Sequence, residues 1–97
     1  MRIILQKAFS RFQTLHPDSR TALDRWVRIA GNAEWTSFDD VRATLGRKVD
    51  RYKQFFIFDI GGTKYRLIAV VNFKTDLVTV RHVLTHAEYD RGKWKGS

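Results

Sequence analysis

"FFIFDIGGTKYRLIAVVNFKTDLVTVRHVL", from Phe55 to Leu84, holds three apolar, β-branched or aromatic stretches separated by two short polar turns. FFIFDI reads as a strand and GGT as a tight turn. KYRLIAVVNF reads as a longer strand, and KTD turns the chain into LVTVRHVL. Connections this short require antiparallel neighbours, so the three strands form a meander. The paired glycines Gly61 and Gly62 belong to a hairpin, because no helix follows them to receive a phosphate.

Upstream the apolar period changes. RIIL at Arg2–Leu5 predicts a short first strand. From Gln6 to His16, Ala8, Phe9, Phe12 and Leu15 recur at helical spacing, and Pro17 ends that helix. Asp18 or Ser19 is expected to cap a second helix with Ala22, Leu23, Trp26, Val27 and Ala30 on its apolar face. Gly31-Asn32 offers the left-handed conformation that stops it. Ser37 and Asp40 resemble a capping box for a third, short helix carrying Phe38, Val41 and Leu45, stopped by Gly46. The expected fold is α+β: an N-terminal strand and two to three helices packed over one face of a mainly antiparallel sheet, in a single domain spanning residues 1–97.

The 97 residues carry 18 lysines and arginines against 10 acids, a net charge of +8 that favours polyanions, chiefly nucleic acid. The absence of cysteine excludes a disulfide scaffold, thiolate zinc sites and thiol hydrolases, and fits a reducing cytoplasm. No apolar run approaches the ~20 residues of a membrane span, and the apolar patch after Arg2 is too short for a secretory signal.

Strand parity sorts the charges. Tyr65, Leu67, Ala69 and Val71 share one face of the longer strand, whereas Lys64 and Arg66 lie on the other. In the last strand Val78, Val80, His82 and Leu84 oppose Thr79, Arg81 and Val83. The apolar sets should meet the helices, leaving Arg66 and Arg81 together on the outer face, where paired guanidiniums can hold a phosphate. A bulge would reverse those faces, and pairing with Asp59 or Asp76 would make the arginines mere surface charges. RKVDRYKQ adds Arg47, Lys48, Arg51 and Lys53 as a basic loop entering the sheet.

Downstream, His82, His86, Glu88 and Asp90 invite a metal reading. It fails because His82 lies in a strand, where a four-residue spacing does not face one way, and no second ligand cluster exists. His82 reads as an interior histidine. Thr85 can cap a helix beginning at His86, which would bring a titratable imidazole and the Tyr89 phenol toward the outer face. Tyr89 can equally be a packing aromatic. Trp94, between Lys93 and Lys95, can stack on a base or clamp the C-terminus onto the core.

DIGGTKYRLIAVVNF followed by VRHVLTHAEYDRGKWK resembles the signature half of HigB-type toxins, messenger-RNA interferases of type II toxin–antitoxin systems within the RelE-like superfamily. The resemblance is strongest from Phe55 to Lys95. It implies a microbial ribonuclease-like fold acting on mRNA in the decoding site of the bacterial ribosome. The implied chemistry is metal-independent and cofactor-free: the ribose 2′-hydroxyl attacks the adjacent phosphate, leaving a 2′,3′-cyclic phosphate and a 5′-hydroxyl end. It implies Arg66 and Arg81 as phosphate-stabilising groups, and His86 and Tyr89 as proton-transfer groups. Lys48, Arg51, Lys53, Lys64 and Lys93 are the expected RNA contacts. The implied partner is a cognate HigA-like helix-turn-helix antitoxin, with DNA reached only through the toxin–antitoxin complex and no membrane involved. Two rival readings carry no catalysis: a basic RNA-binding module, or an inactive toxin serving only in a repressor complex with its antitoxin.

Overall fold

In the computed structural model, which describes residues 1–46 and 49–96, five strands form one sheet in the order β1-β5-β4-β3-β2. The meander is β3 (Phe55–Ile60), β4 (Tyr65–Asn72) and β5 (Leu77–Thr85). Gly61 and Gly62 take φ of 62° and 72° in the β3–β4 turn, a region where a Cβ would be strained. The N-terminal strand β1 (Arg2–Ile4) adds parallel to the far side of β5, through Arg2–Leu77, Ile3–Val78 and Ile4–Thr79. The order is therefore α+β with a mostly antiparallel sheet, as the periodicities indicate.

The basic segment after the third helix is more ordered than a loop. Asp50–Tyr52 forms an edge strand, β2, paired antiparallel with β3 as Asp50–Ile57, Arg51–Phe56 and Tyr52–Phe55. Arg47 and Lys48 lie outside the described residues.

Helices α1 (Lys7–Leu15), α2 (Arg20–Asn32) and α3 (Phe38–Leu45) cover one sheet face. Phe9, Phe12, Leu23, Trp26, Ala30 and Val41 meet Phe56, Phe58, Ile60, Tyr65, Leu67, Ala69, Val78, Val80 and Val83 there. Two expected helix signals work differently. Pro17 opens a 3-10 turn, Pro17–Ser19, that runs straight into α2, so Ser19 is already helical and its hydroxyl donates to the His16 carbonyl (2.7 Å). Asp18 instead accepts from Tyr65 Oη at 2.8 Å and pairs with Lys64. At the other end, Gly31-Asn32 remains helical. The chain leaves α2 through an extended Ala33, whose carbonyl accepts from the Met1 ammonium at 2.6 Å. A cation there suits the negative end of the helix and replaces the left-handed stop. The third helix starts as expected at Ser37, although Asp40 turns its carboxylate to the N–H and hydroxyl of Thr36 (2.8 and 2.7 Å).

The second sheet face is covered too. Helix α4 (His86–Arg91) and a 3-10 turn at Lys93–Gly96 fold back over it, and Trp94 closes a smaller core with Phe55, Ile57 and Ile68. No helix among the described residues is long and apolar enough to cross a membrane.

Candidate active site

Alternation along β5 breaks once. Ile68 pairs with His82 and Ala69 with Val80, which leaves Arg81 without a partner residue in a β-bulge. Beyond the bulge the faces exchange: Val83 joins the helix-side core, while His82 and Leu84 stand beside Ile68 and Arg66 on the second face. His82 is thus not a helix-side interior residue. Its pKa is lowered, first by burial and then by the neighbouring Arg81 charge, which favours the neutral imidazole.

Arg66 lies between Asp59 on β3 and Leu84 on β5. Its Nε pairs with Asp59 Oδ1 at 3.1 Å, and both side chains are largely buried, 12% and 18% exposed. Nη1 donates to the carbonyls of Thr63 (2.8 Å) and Tyr65 (3.2 Å). Its guanidinium carbon stands 5.3 Å from the centre of the Tyr89 ring. Arg66 is held rigidly, with Nη2 as the nitrogen left without a hydrogen bond among the described residues. Arg81 is not its cross-strand neighbour, so the register does not bring the two arginines directly opposite one another.

Tyr89 reaches this place because of how α4 begins. Thr85 Oγ1 accepts from the Glu88 N–H (3.2 Å) and Glu88 Oε1 accepts from the Thr85 N–H (2.9 Å), a complete capping box. Gly92, at φ 73°, ends the helix in the left-handed region. The chain then returns so that Trp94 stacks on Tyr89 (5.5 Å between ring centres, 11° between planes) and donates its indole N–H to the Tyr89 carbonyl at 3.1 Å. Trp94 also meets Tyr52 and Phe55 edge-on, which makes it the clamp of the C-terminal segment. Burial, helped by Asp50, pushes the Tyr89 phenol up and keeps it protonated at neutral pH; Arg66 acts in the opposite sense. His86, one turn earlier, is exposed and pairs through Nδ1 with Asp90 Oδ2 at 2.9 Å. Both side chains are exposed to solvent.

The remaining basic residues divide between the faces. Arg51 follows Phe56 to the helix side and lies over the rings of Phe38 and Phe56, at 5.6 and 5.0 Å. Lys64 is tied to Asp18 near the start of α2, away from Arg66. Lys53 stands over Tyr52 at the edge of the second face, as does Lys95. Lys93 lines a small cavity with His82, Leu84, Glu88, Arg91 and Trp94. Lys48 lies outside the described residues. Parity reasoning put His82 on the wrong face. Its signal is in the sequence nonetheless: core valines at positions 78, 80 and 83 are spaced by two and then by three, the mark of one extra residue.

A helix-covered sheet of this order, with an arginine and a tyrosine packed on its second face, is an α+β architecture consistent with RelE-like toxins. Comparison with known proteins makes the class specific. The chain belongs to the HigB toxin family, described as the RelE-like toxic component of a toxin–antitoxin system, whose model matches residues 19–92. It is 29% identical over 94 residues to the mRNA interferase HigB of Escherichia coli O6:H1, a match covering 94% of this chain and 90% of that protein. It is 27% identical over 93 residues to the mRNA interferase toxin HigB of Escherichia coli strain K12, covering 93% and 88%.

Proposed function

We propose that this chain is an mRNA endoribonuclease toxin that cuts message on the ribosome and is neutralised by a cognate helix-turn-helix antitoxin. Family membership and the names of two full-length relatives support the nuclease activity. The observation that carries the site is the Arg66–Tyr89 contact: a buried, oriented cation against a phenol kept protonated. In the proposed reaction the 2′-oxygen bonds to phosphorus while the bond to the 5′-oxygen breaks. A cation stabilises the extra phosphoryl charge, and a proton donor supplies the leaving oxygen. Arg66 and Arg81 take the first role and Tyr89 the second, with His86 and its Asp90 partner the candidate acceptor for the 2′-hydroxyl proton. No resident metal ion is required by this scheme, and DNA, lacking the 2′-hydroxyl, is not a substrate. DNA enters only through the antitoxin complex.

One observation favours a non-catalytic reading. Asp59 already neutralises Arg66, as it would in a domain that uses the arginine only to hold its sheet. Cleavage in a translating extract separates the readings. Wild type should cut mRNA only when ribosomes engage it, with no divalent ion beyond the ribosome's own. Arg66→Ala should lose ~10²–10³ in rate, the usual cost of removing one preorganised charge-stabilising group. Failure of folded wild type to cut, with RNA binding retained, would establish the binding module instead.

A further inference from the structure

Arg66 is held at two points that do different things. The Nε pair with Asp59 sets where the guanidinium sits, but a group held through one nitrogen can still swing about that contact. The second hold runs from Nη1 to the carbonyls of Thr63 (2.8 Å) and Tyr65 (3.2 Å). It fixes the guanidinium plane, and with it the direction in which Nη2 points. Those two carbonyls flank Lys64 in the chain, so the aim of Arg66 depends on how firmly residues 63–65 are held.

The turn itself holds them loosely. Gly61 and Gly62 both lie at positive φ, and the Lys64 N–H reaches the Gly61 carbonyl at 3.4 Å, beyond the roughly 2.7–3.2 Å of an ordinary N–H···O bond. The firmer anchor comes from the helix side of the sheet. One carboxylate, Asp18, accepts from Tyr65 Oη at 2.8 Å and pairs with Lys64. Tyr65 is buried with its ring edge-on to Phe12 at 5.1 Å, so a tie at its hydroxyl also restrains its backbone. Asp18 is fixed in its turn. It sits inside the 3-10 segment Pro17–Ser19, where the Ser19 N–H and hydroxyl donate to the His16 carbonyl at 2.9 and 2.7 Å.

We infer that Asp18 is a positioning residue for Arg66: from the helix side it holds Lys64 and Tyr65, and through them the carbonyls that aim the guanidinium. Its part in catalysis rests on the nuclease reading, whereas the positioning rests on these contacts alone. Asp18 acts across the sheet, since the Arg66–Tyr89 contact lies on the second face. A half-exposed pair such as Lys64–Asp18 adds little to stability. Its leverage on rate is larger, because a misplacement of about 1 Å caused far from the chemistry can cost ~10²-fold. Loss of the Asp18 carboxylate should therefore slow cleavage more than it weakens the fold.

Single-turnover cleavage of ribosome-bound mRNA by the full chain, paired with proton–nitrogen NMR of the Arg66 side chain, tests this. The Arg66 Nε–H signal is assigned by its absence in Arg66→Ala. Asp18→Ala should slow cleavage at least about tenfold at saturating ribosomes, shift the Nε–H signal and broaden the Nη signals. Tyr65→Phe, which removes only the hydroxyl tie, should move the same signal by less. Adding Asp18→Ala to a chain already carrying Tyr65→Phe and Lys64→Met should cause no further loss, because the carboxylate then has nothing to hold. Gln13→Ala removes a 2.8 Å hydrogen bond to Asp24 between α1 and α2, and should leave rate and signal unchanged. All variants are compared where they keep the wild-type amide pattern in α3 and β2; if Asp18→Ala does not fold, Tyr65→Phe carries the test. A change in only one of rate and Arg66 signal, in neither, or an additive loss in the combined variant would overturn the positioning role. The nuclease reading fails separately. Folded wild type that cuts no mRNA loses the enzyme, and the Arg66 signal alone then decides whether Asp18 aims it.

Discussion

Tyr89 is held on two sides, by the Arg66 guanidinium and by the Trp94 indole. Tyr89→Phe keeps both contacts and removes only the hydroxyl. It should leave the melting temperature nearly unchanged while lowering mRNA cleavage by ~10²-fold, within the usual range for a proton-transfer group. Cleavage equal to wild type would reduce Tyr89 to a packing residue. His82 carries a pH signature. Because its folded pKa is lowered, the unfolded chain binds more protons once the pH drops below about 6.5, and stability must fall with acidification there. His82→Phe should flatten the melting temperature between pH 7 and pH 5; an unchanged slope would mean the imidazole titrates alike in both states.

At the scale of elements, α4 matters more than its six residues suggest, because it brings Tyr89 to Arg66. A helix this short has little intrinsic stability and depends on its ends. Thr85→Ala removes the side-chain half of the capping box and should cost about 1 kcal/mol. In a domain of this size that corresponds to a fall of roughly 4–8 °C in melting temperature, measurable by circular dichroism. Cleavage should fall with it, since fraying at Thr85 releases Tyr89. The start of α4 was legible beforehand from THAEYD, since the capping residue and its acid lie at fixed offsets. At α2 the position of the start was legible, but not the way its end is satisfied. Pro17 admits a 3-10 turn that carries Ser19 into helical geometry and frees Asp18 for Tyr65, a residue 47 positions away.

For the whole molecule, that Asp18 contact joins the helical layer to the hairpin. Hydrogen bonds and charge from Lys64, then the Tyr65 hydroxyl, hold the Asp18 carboxyl below its usual range, and Asp18 raises Lys64 in return. A lowered carboxylate pKa contributes stability above the unfolded value, near pH 4, and that contribution is lost as pH falls through the folded value. Asp18→Asn should therefore lower the melting temperature at pH 7, with the difference from wild type shrinking as the pH falls below about 4. A difference that stays constant as the pH falls below about 4 would assign the effect to something other than the carboxylate charge. The same scale explains why the basic residues part company. Arg51 and Lys64 are neighbours of the RNA-facing candidates in sequence, yet the alternation of β2 and the pull of Asp18 take them to the helix side.

By itself the sequence determined the elements whose cause is local. The meander follows from β-branched runs and positive-φ glycines, the helices from apolar spacing, and α4 from its cap. Its order of helices and strands already limited the fold to α+β, and the THAEYD and YRLIA segments carried the family resemblance. Tertiary structure decided what depends on pairing across distance. One unpaired residue at Arg81 moves every later β5 side chain to the opposite face, because strand side chains alternate with a period of two. That single slip, together with the return of Trp94 over the sheet, puts His82 beside Leu84 on the second face and leaves Arg66 and Arg81 out of register.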